Sequence, residues 1–431
     1  MREMKDSGVP WIGEIPNNWI IAKMKHISSS MKSGGTPSSE NPIFYCDDGT
    51  SWVAIGDMRH GGFICETQKH LTKEGLEDKS LDVFPAGTLL YSIYASVGKV
   101  SVLQIPAAIN QAILAISVNK EMKQAYCKFL LMSMGDYVYS FANGNTQFNL
   151  NAGIVSNLPI VLPPLYEQIQ IANFLDAKCV EIDSILEKTR TSIEEYKKLK
   201  QSVITEAVTK GIHGERPMRD SGVEWIGEIP EGWRCCKLKQ ACSKISDGSH
   251  FSPEISTEGY PYITAKDVHG LGIDYTSASK ISEENYFALV KAGCKPERND
   301  VLLVKDGATT GRVGMVTDNT ACVLLSSVAM LHHNSQVSPT YLYYFLQSNV
   351  MQEQIVISMA GSAMPRITLS KIVGFVLTIP PISEQKEIAA YLDEKCAAID
   401  SLIASKEALI TELEAYKKSL IYEYVTGKKE V

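Results

Sequence analysis

Residues 162–209 and 379–426 carry one pattern at a constant offset of 217, without an insertion across nearly fifty positions. LPPLYEQIQIANFLDAKCVEIDSILEK (162–188) stands beside IPPISEQKEIAAYLDEKCAAIDSLIAS (379–405), and the register continues through SVITEAVT (202–209) and SLIYEYVT (419–426). An ungapped repeat of this length requires one stiff element used twice. Pro-Pro pairs stop whatever precedes it, acidic residues lie early, and Gly211 and Gly427 follow the last periodic residue. That is how a helix starts and stops.

Steps of three and four place Ala172, Leu175, Cys179, Ile182, Leu186, Thr189, Ile193, Tyr196, Lys200, Val203 and Ala207 on one face. The second copy gives Ala389, Leu392, Cys396, Ile399, Ile403, Lys406, Ile410, Leu413, Lys417, Leu420 and Tyr424. A stripe sustained over about five heptads is a coiled-coil seam. About 45 helical residues at 1.5 Å each span roughly 65 Å, a length with no role inside a compact domain. The duplication favours an antiparallel pair related by an internal pseudo-two-fold; two helices lying separately on their own domains is the other arrangement. Thr189 and Lys406 interrupt the seams at one matched position and Lys200 and Lys417 at another, setting antiparallel register, marking where a partner replaces the paired helix, or snorkelling.

A second repeat opens each half. DSGVPWIGEIPNNW (6–19) and DSGVEWIGEIPEGW (220–233) agree at eleven of fourteen positions. Between openings and helices lie two regions of about 140 residues that share only traces, such as WVAIGDM (52–58) with YITAKDV (262–268). LLYSIYASVGKV (89–100) likewise resembles LLVKDGATTGRV (302–313), and GNTQFNLNAGIVSNLPIVLPP (144–164) resembles GSAMPRITLSKIVGFVLTIPP (361–381). Short apolar runs broken by Gly, Ser and Asn predict strands and turns. The expected fold is α+β: two mixed α/β domains at 1–161 and 214–378, and two long helical segments at 162–213 and 379–431.

A chain of 431 residues exceeds one ordinary core, which agrees with that division. No apolar run approaches the roughly 20 residues that span a bilayer, and the first thirty residues hold no signal-peptide core. A soluble, cytoplasmic protein without a membrane partner is expected. Ten cysteines lie singly except for Cys235–Cys236, which predicts buried reduced thiols. The net charge of −7 is uneven: 20–158 holds 11 basic and 11 acidic residues, 234–378 holds 13 and 12, and 382–431 holds 7 and 10. An acidic total therefore neither excludes nor argues for a locally basic groove on either large region.

Common catalytic patterns are missing. SVGKVS (96–101) and GATTGR (307–312) lack the spacing or the Lys-Ser/Thr pair of a phosphate loop, and neither a H-E-x-x-H helix nor a G-x-S-x-G elbow occurs. The Pro-Pro pairs resemble the NPPY-type motif of amino-methyltransferases in shape. Leu162 and Ile379 stand where its polar side chain must accept a hydrogen bond, which neither can do. Glu66, Asp82 and Asp306 read as solitary surface or turn carboxylates. The chain has the character of a recognition device whose chemistry comes from partners.

The repeated D-S-G-V-x-W-I-G-E-I-P-x-x-W, the P-P then E-Q helix entrance ending in A-V-T-K-G, S-G-G-T-P at 33–37 and D-G-S-H-F at 247–251 resemble the specificity subunits of type I restriction-modification enzymes. The resemblance covers essentially the whole chain, twice in order, and is weakest in the middle regions. It implies two target-recognition domains reading a bipartite, asymmetric sequence in double-stranded DNA, with the long helices as spacer. It implies two methyltransferase subunits docked on the helices and restriction/translocase subunits beyond them. S-adenosylmethionine, ATP and Mg would then belong to those partners, and this chain would bind no cofactor or metal and catalyse nothing.

Gly-rich polar loops at matching places are the candidate DNA contacts. In the first half they are Lys32, Ser33, Gly35 and Thr36, then Ser92, Tyr94, Ser96 and Lys99, then Asn145, Thr146 and Gln147. In the second they are Ser249 and His250, then Lys305, Thr309, Thr310 and Arg312, then Ser362 and Arg366. Glycine admits close backbone approach, hydroxyls and Lys suit phosphate, Asn and Gln suit adenine, and Arg suits guanine. An ordinary turn or surface role is the alternative at each. Trp11, Trp19, Trp225 and Trp233 sit in the near-identical openings, where packing is favoured over base stacking. Two other classes remain: a stand-alone DNA-acting enzyme, methyltransferase or nuclease, and a structural coiled-coil scaffold.

Overall fold

The computed structural model describes residues 2–59, 61–94, 96–140, 150–359 and 365–431. The chain forms two compact units, one of residues 1–189 with 408–431 and the other of 190–407.

In the first unit, strands run in the order Ser28–Ser33, Ile113–Val118, Leu89–Ser92, Val100–Leu103 and Gly62–Ile64. All neighbours are antiparallel except the last pair. Alternation explains why this sheet has two dry faces. Leu114 and Ile116 enter the large core beneath the helices, whereas Ile113 and Ala115 enter a smaller core against the second sheet. That second sheet has the order Ala108–Ile109, Thr50–Val53, Lys69–Leu71 and Tyr45–Cys46.

The second unit repeats the plan. Its main sheet is Cys242–Asp247, Val328–His333, Val301–Val304 and Val313–Met315. Val301 and Leu303 face one core while Leu302 and Val304 face another. Its small sheet is Ile255–Ser256, Ser279–Ile281, Tyr260–Ile263 and Val323–Leu324. The faint WVAIGDM/YITAKDV likeness marks one device in both units: Asp57 Oδ2 accepts the Ala54 amide at 2.8 Å, and Asp267 Oδ2 accepts the Thr264 amide at 2.8 Å.

The long helices are Leu165–Lys210 and Ile382–Val425, of 46 and 44 residues. Each unit contains half of both, and in each unit the halves run antiparallel. In the first unit, Lys417 Nζ reaches Asp183 Oδ1 at 2.6 Å, and Phe174 packs on Tyr424 with ring centroids 4.5 Å apart. In the second, Lys200 Nζ reaches Asp400 Oδ2 at 2.6 Å, and Lys406 Nζ lies 5.6 Å from the Tyr196 ring centre. Lys200 and Lys417, together with Asp183 and Asp400, are equivalent under the offset of 217, so one cross-helix pair occurs twice. Seam residues Leu175, Ile182, Leu186, Ile193, Leu392 and Ile399 are buried, whereas Tyr196, Ile403, Ile410 and Leu413 are half-buried.

The repeated E-Q and the repeated tryptophan explain each other. Trp19 Nε1 donates to Glu167 Oε2 at 2.9 Å, Asn18 donates to Oε1 at 3.1 Å, and Arg2 pairs with the same carboxylate. Trp233 Nε1 donates to Glu384 Oε2 at 2.9 Å and Arg216 Nη1 to Oε1 at 2.6 Å. The adjacent glutamines staple the helix starts to the domains: Gln168 Oε1 accepts the Lys123 amide at 2.7 Å and Gln385 Oε1 accepts the Ser338 amide at 2.8 Å. Both glutamines are wholly buried, where unpaired amides would be costly. Trp19 and Trp233 are thus core residues. Trp11 stacks on Tyr137, while Trp225 is 44 % exposed.

Among the described residues no helix is long and apolar enough to cross a membrane. Burial pushes the Cys127, Cys242 and Cys322 thiols up to about 12, leaving them protonated and inert at neutral pH.

Candidate nucleic-acid interface

The candidate loops start where the two main sheets end. After strand Ser28–Ser33, a Cβ on Gly34 would lie 1.7 Å from the Ile109 carbonyl oxygen, and the Gly35 amide donates to that same oxygen at 3.0 Å. After strand Cys242–Asp247, a Cβ on Gly248 would lie 2.1 Å from the Leu324 oxygen, which accepts the Ser249 amide at 2.7 Å. Any side chain there would force the two sheets apart. The glycines of S-G-G-T-P and D-G-S-H-F therefore seat the loop, and the residues flanking them carry the variable chemistry.

Register brings the other loops to the same sheet end. Leu114 pairs with Ser33 and Ile113 with Ser92, just as Ala329 pairs with Asp247 and Val328 with Val304. In the first unit Ser92 is 0 % exposed. Its Oγ accepts the Lys99 amide at 2.8 Å and donates to the Ser96 carbonyl, closing the turn on itself. Tyr94 packs half-buried against the core, and Ser96 and Lys99 are half-buried. Ser33 is exposed. Lys32 Nζ pairs with Asp82 Oδ2 at 2.8 Å, and Thr36 bonds to the Gln111 side chain. The Lys32 pair is on open surface, where such contacts contribute little.

The second unit places charge where the first has an aliphatic side chain. Lys305, equivalent by register to Ile93, is 2 % exposed, with Nζ 2.8 Å from Asp306 Oδ2 and 3.4 Å from Asp247 Oδ2. His250 Nε2 also reaches Asp247 Oδ2 at 3.2 Å, and Arg366 Nε lies 3.0 Å from Asp306 Oδ1. Thr310 Oγ1 donates to the carbonyls of Gly307 and Pro365, at 2.7 and 3.2 Å. The Arg312 amide donates to the Thr309 carbonyl at 3.0 Å, and Arg312 Nη1 lies 3.5 Å from the Val268 oxygen. Ser249 is buried, its Oγ donating to the Phe251 carbonyl at 2.7 Å.

Two carboxylates thus gather His250, Lys305 and Arg366, while Thr309 and Arg312 form the neighbouring turn. Sequence reasoning took Asp306 as solitary and passed over Asp247. Their 59-residue separation hid a meeting made by sheet pairing; the adjacent K-D at 305–306 was the available signal. Asn145, Thr146, Gln147 and Ser362 lie outside the described residues.

A family model described as the type I restriction modification DNA specificity domain matches residues 16–195 and again 230–415. The type I restriction enzyme MjaVIII specificity subunit of Methanocaldococcus jannaschii is 26 % identical over 324 residues, covering 73 % of this chain and 72 % of its own. The putative MjaX specificity subunit of the same organism is 24 % identical over 444 residues, covering 97 % of this chain and 96 % of its own. A solved chain from work on assembly and conformational transition of the type I R-M system superposes with a TM-score of 0.71 at 18 % identity, covering 96 % of this chain and 99 % of that one.

Proposed function

The chain belongs to the type I restriction-modification DNA specificity family, and from that premise we propose that it selects the DNA target, each half reading one part of a bipartite, asymmetric sequence. The observation that carries this reading is the contrast at one sheet end: the same seating glycine and strand register place Ser33, Ile93 and Lys99 in one unit, but Asp247 with His250, Lys305 and Arg366 in the other. Phosphate contacts position a protein and base-edge contacts specify. A duplicated frame with different loop chemistry is what two unlike half-targets require.

The division of labour follows. The subunit joins methyltransferase subunits and restriction subunits in one complex, with two copies of the methyltransferase meeting the duplicated helix surfaces. S-adenosylmethionine, ATP and Mg are held by those partners, and the present chain performs no covalent step. Its work is to hold base-reading side chains in fixed register.

The test is reconstitution with the methyltransferase subunit. The complex should protect a specific duplex with two separated contact regions and transfer methyl groups to adenine there, while the chain alone transfers none. Methyl transfer or DNA cleavage by the purified chain without partners would replace this reading with that of a stand-alone enzyme.

A further inference from the structure

The Lys305–Asp306–Arg366 array is built as an aimed arginine. The backbone of 365–367 is pinned to 305–307: the Ile367 amide donates to the Lys305 carbonyl at 2.8 Å, the Gly307 amide to the Pro365 carbonyl at 3.0 Å, and Asp306 and Arg366 form an antiparallel bridge. Ile367 is fully buried, which plugs this segment into the core. The Arg366 side chain nevertheless stays 62 % exposed. A residue held so firmly at its backbone and left open at its tip is placed to meet something.

The tip is also oriented. Asp306 spends Oδ2 on the buried Lys305 ammonium and turns Oδ1 towards Arg366 Nε at 3.0 Å. That contact is an ion pair without hydrogen-bond alignment, because Oδ1 accepts no directed N–H. It biases the guanidinium while leaving its two Nη groups without a partner among the described residues. Two parallel Nη donors match the O6 and N7 acceptors of guanine in the major groove. Lys305 cannot itself serve as a phosphate contact at 2 % exposure, since its Nζ is committed to Asp306 and Asp247.

Resting on the DNA-reading role above, we infer that Lys305 and Asp306 are positioning residues that aim Arg366 at a guanine in the half-target read by the second unit. Lys305 fixes the carboxylate, the carboxylate fixes the Nε edge, and the Nη edge reads the base. The first unit has no such relay, because Ile93 stands at the equivalent of Lys305 and Tyr94 follows it. Guanine reading by this device therefore belongs to one half-target alone.

The experiment uses the complex with its methyltransferase subunits, whose wild-type consensus is first defined by methylome sequencing. Competition binding is then measured on duplexes bearing each of the four base pairs at every consensus position. Arg366→Ala should lose about ten- to hundredfold discrimination at one G·C pair. Asp306→Asn and Lys305→Met should lose discrimination at that same pair to a smaller extent, with random-duplex affinity for Asp306→Asn unchanged or raised by removal of a negative charge. A merely structural role would weaken every position alike, and this result would overturn the inference. So would Asp306→Asn raising affinity for all duplexes with discrimination intact, which would make Asp306 a mask over a phosphate-binding arginine. Unchanged discrimination in Arg366→Ala beside a selective wild type rejects the inference alone; a wild-type complex with no selectivity rejects the DNA-reading role as well.

Discussion

Position for position, the two units agree where each domain holds its helix start and differ at the sheet end that carries the candidate loops. Glu167 and Glu384 each hold a tryptophan and an arginine at a helix start, and Gln168 and Gln385 each hold a backbone amide of the domain. One strand end, by contrast, carries a buried isoleucine, Ile93, in the first unit and a buried lysine, Lys305, in the second. A buried isoleucine needs only apolar neighbours, whereas a buried ammonium needs carboxylates. Changing that one residue has therefore required Asp247 and Asp306 beside it. Recognition chemistry diverges in coupled sets, while the frame is constrained residue by residue.

The strongest way to break this comparison is to move the lysine without its carboxylates. Ile93→Lys would bury an ammonium in the first unit's apolar core with no counter-charge, and should destabilise that unit by several kcal/mol in thermal or denaturant unfolding. Tolerance of that substitution would show that the second unit's carboxylates are incidental.

Loss of the shared clamp should cost slightly less. Glu167→Ala leaves the buried Trp19 donor unpaired and removes the carboxylate closest to Arg2, and should destabilise the first unit by about 3 kcal/mol, with Glu384→Ala costing somewhat less because fewer side chains meet it. Although burial opposes it, hydrogen bonds from Arg2, Trp19, Asn18 and Tyr166 hold the Glu167 carboxyl below its ordinary value. Its stabilisation is present above the unfolded pKa and lost as pH falls through the lower folded value. Acid unfolding followed by hydrogen exchange should show Glu167→Ala converging on wild type below about pH 4.

A third difference can be read by pH alone. Burial pushes the Asp300 carboxyl up to about 6, while the Glu297 amide and His332, whose Nδ1 is 2.7 Å away, act in the opposite sense. His333 also faces this group, and the first-unit equivalent is Thr88. A carboxyl raised by folding stabilises the fold when protonated, so this contribution is present in acid and lost as pH rises through about 6. Wild type should gain stability relative to Asp300→Asn between pH 7 and pH 5. A constant difference over that window would contradict the assignment.

The smallest effect belongs to the cross-helix pairs. Lys200→Ala or Lys417→Ala should each cost about 0.5 to 1 kcal/mol, since one partner is well exposed in each case. Exchanging Lys417 and Asp183 should recover most of the loss; failure to recover would mean the lysine stem rather than the charge matters.

The helices were legible because a seam is periodic, and period needs no knowledge of partners. How deeply each seam residue is covered was not legible, since Ile193 is buried while its equivalent Ile410 is half-buried. Lys200 and Lys417 read equally as register or snorkelling residues until Asp400 and Asp183 stood opposite them. The E-Q repeat announced a helix entrance but gave no sign of Trp19 or Trp233, roughly 150 residues away. Candidate loops were found from glycine and polar content, whereas the roles within them depend on contacts: Gly35 and Ser249 seat the loops through amides, and Lys305 is sealed inside.

The central claim is that the two units read two different half-targets independently. Methylome sequencing of the complex carrying wild-type chain, beside the same complex carrying Arg366→Ala, tests it directly. The account predicts a methyladenine consensus in two parts with a fixed gap, and relaxation confined to one position of one part in the variant. A single contiguous consensus, or relaxation spread over both parts, would contradict it.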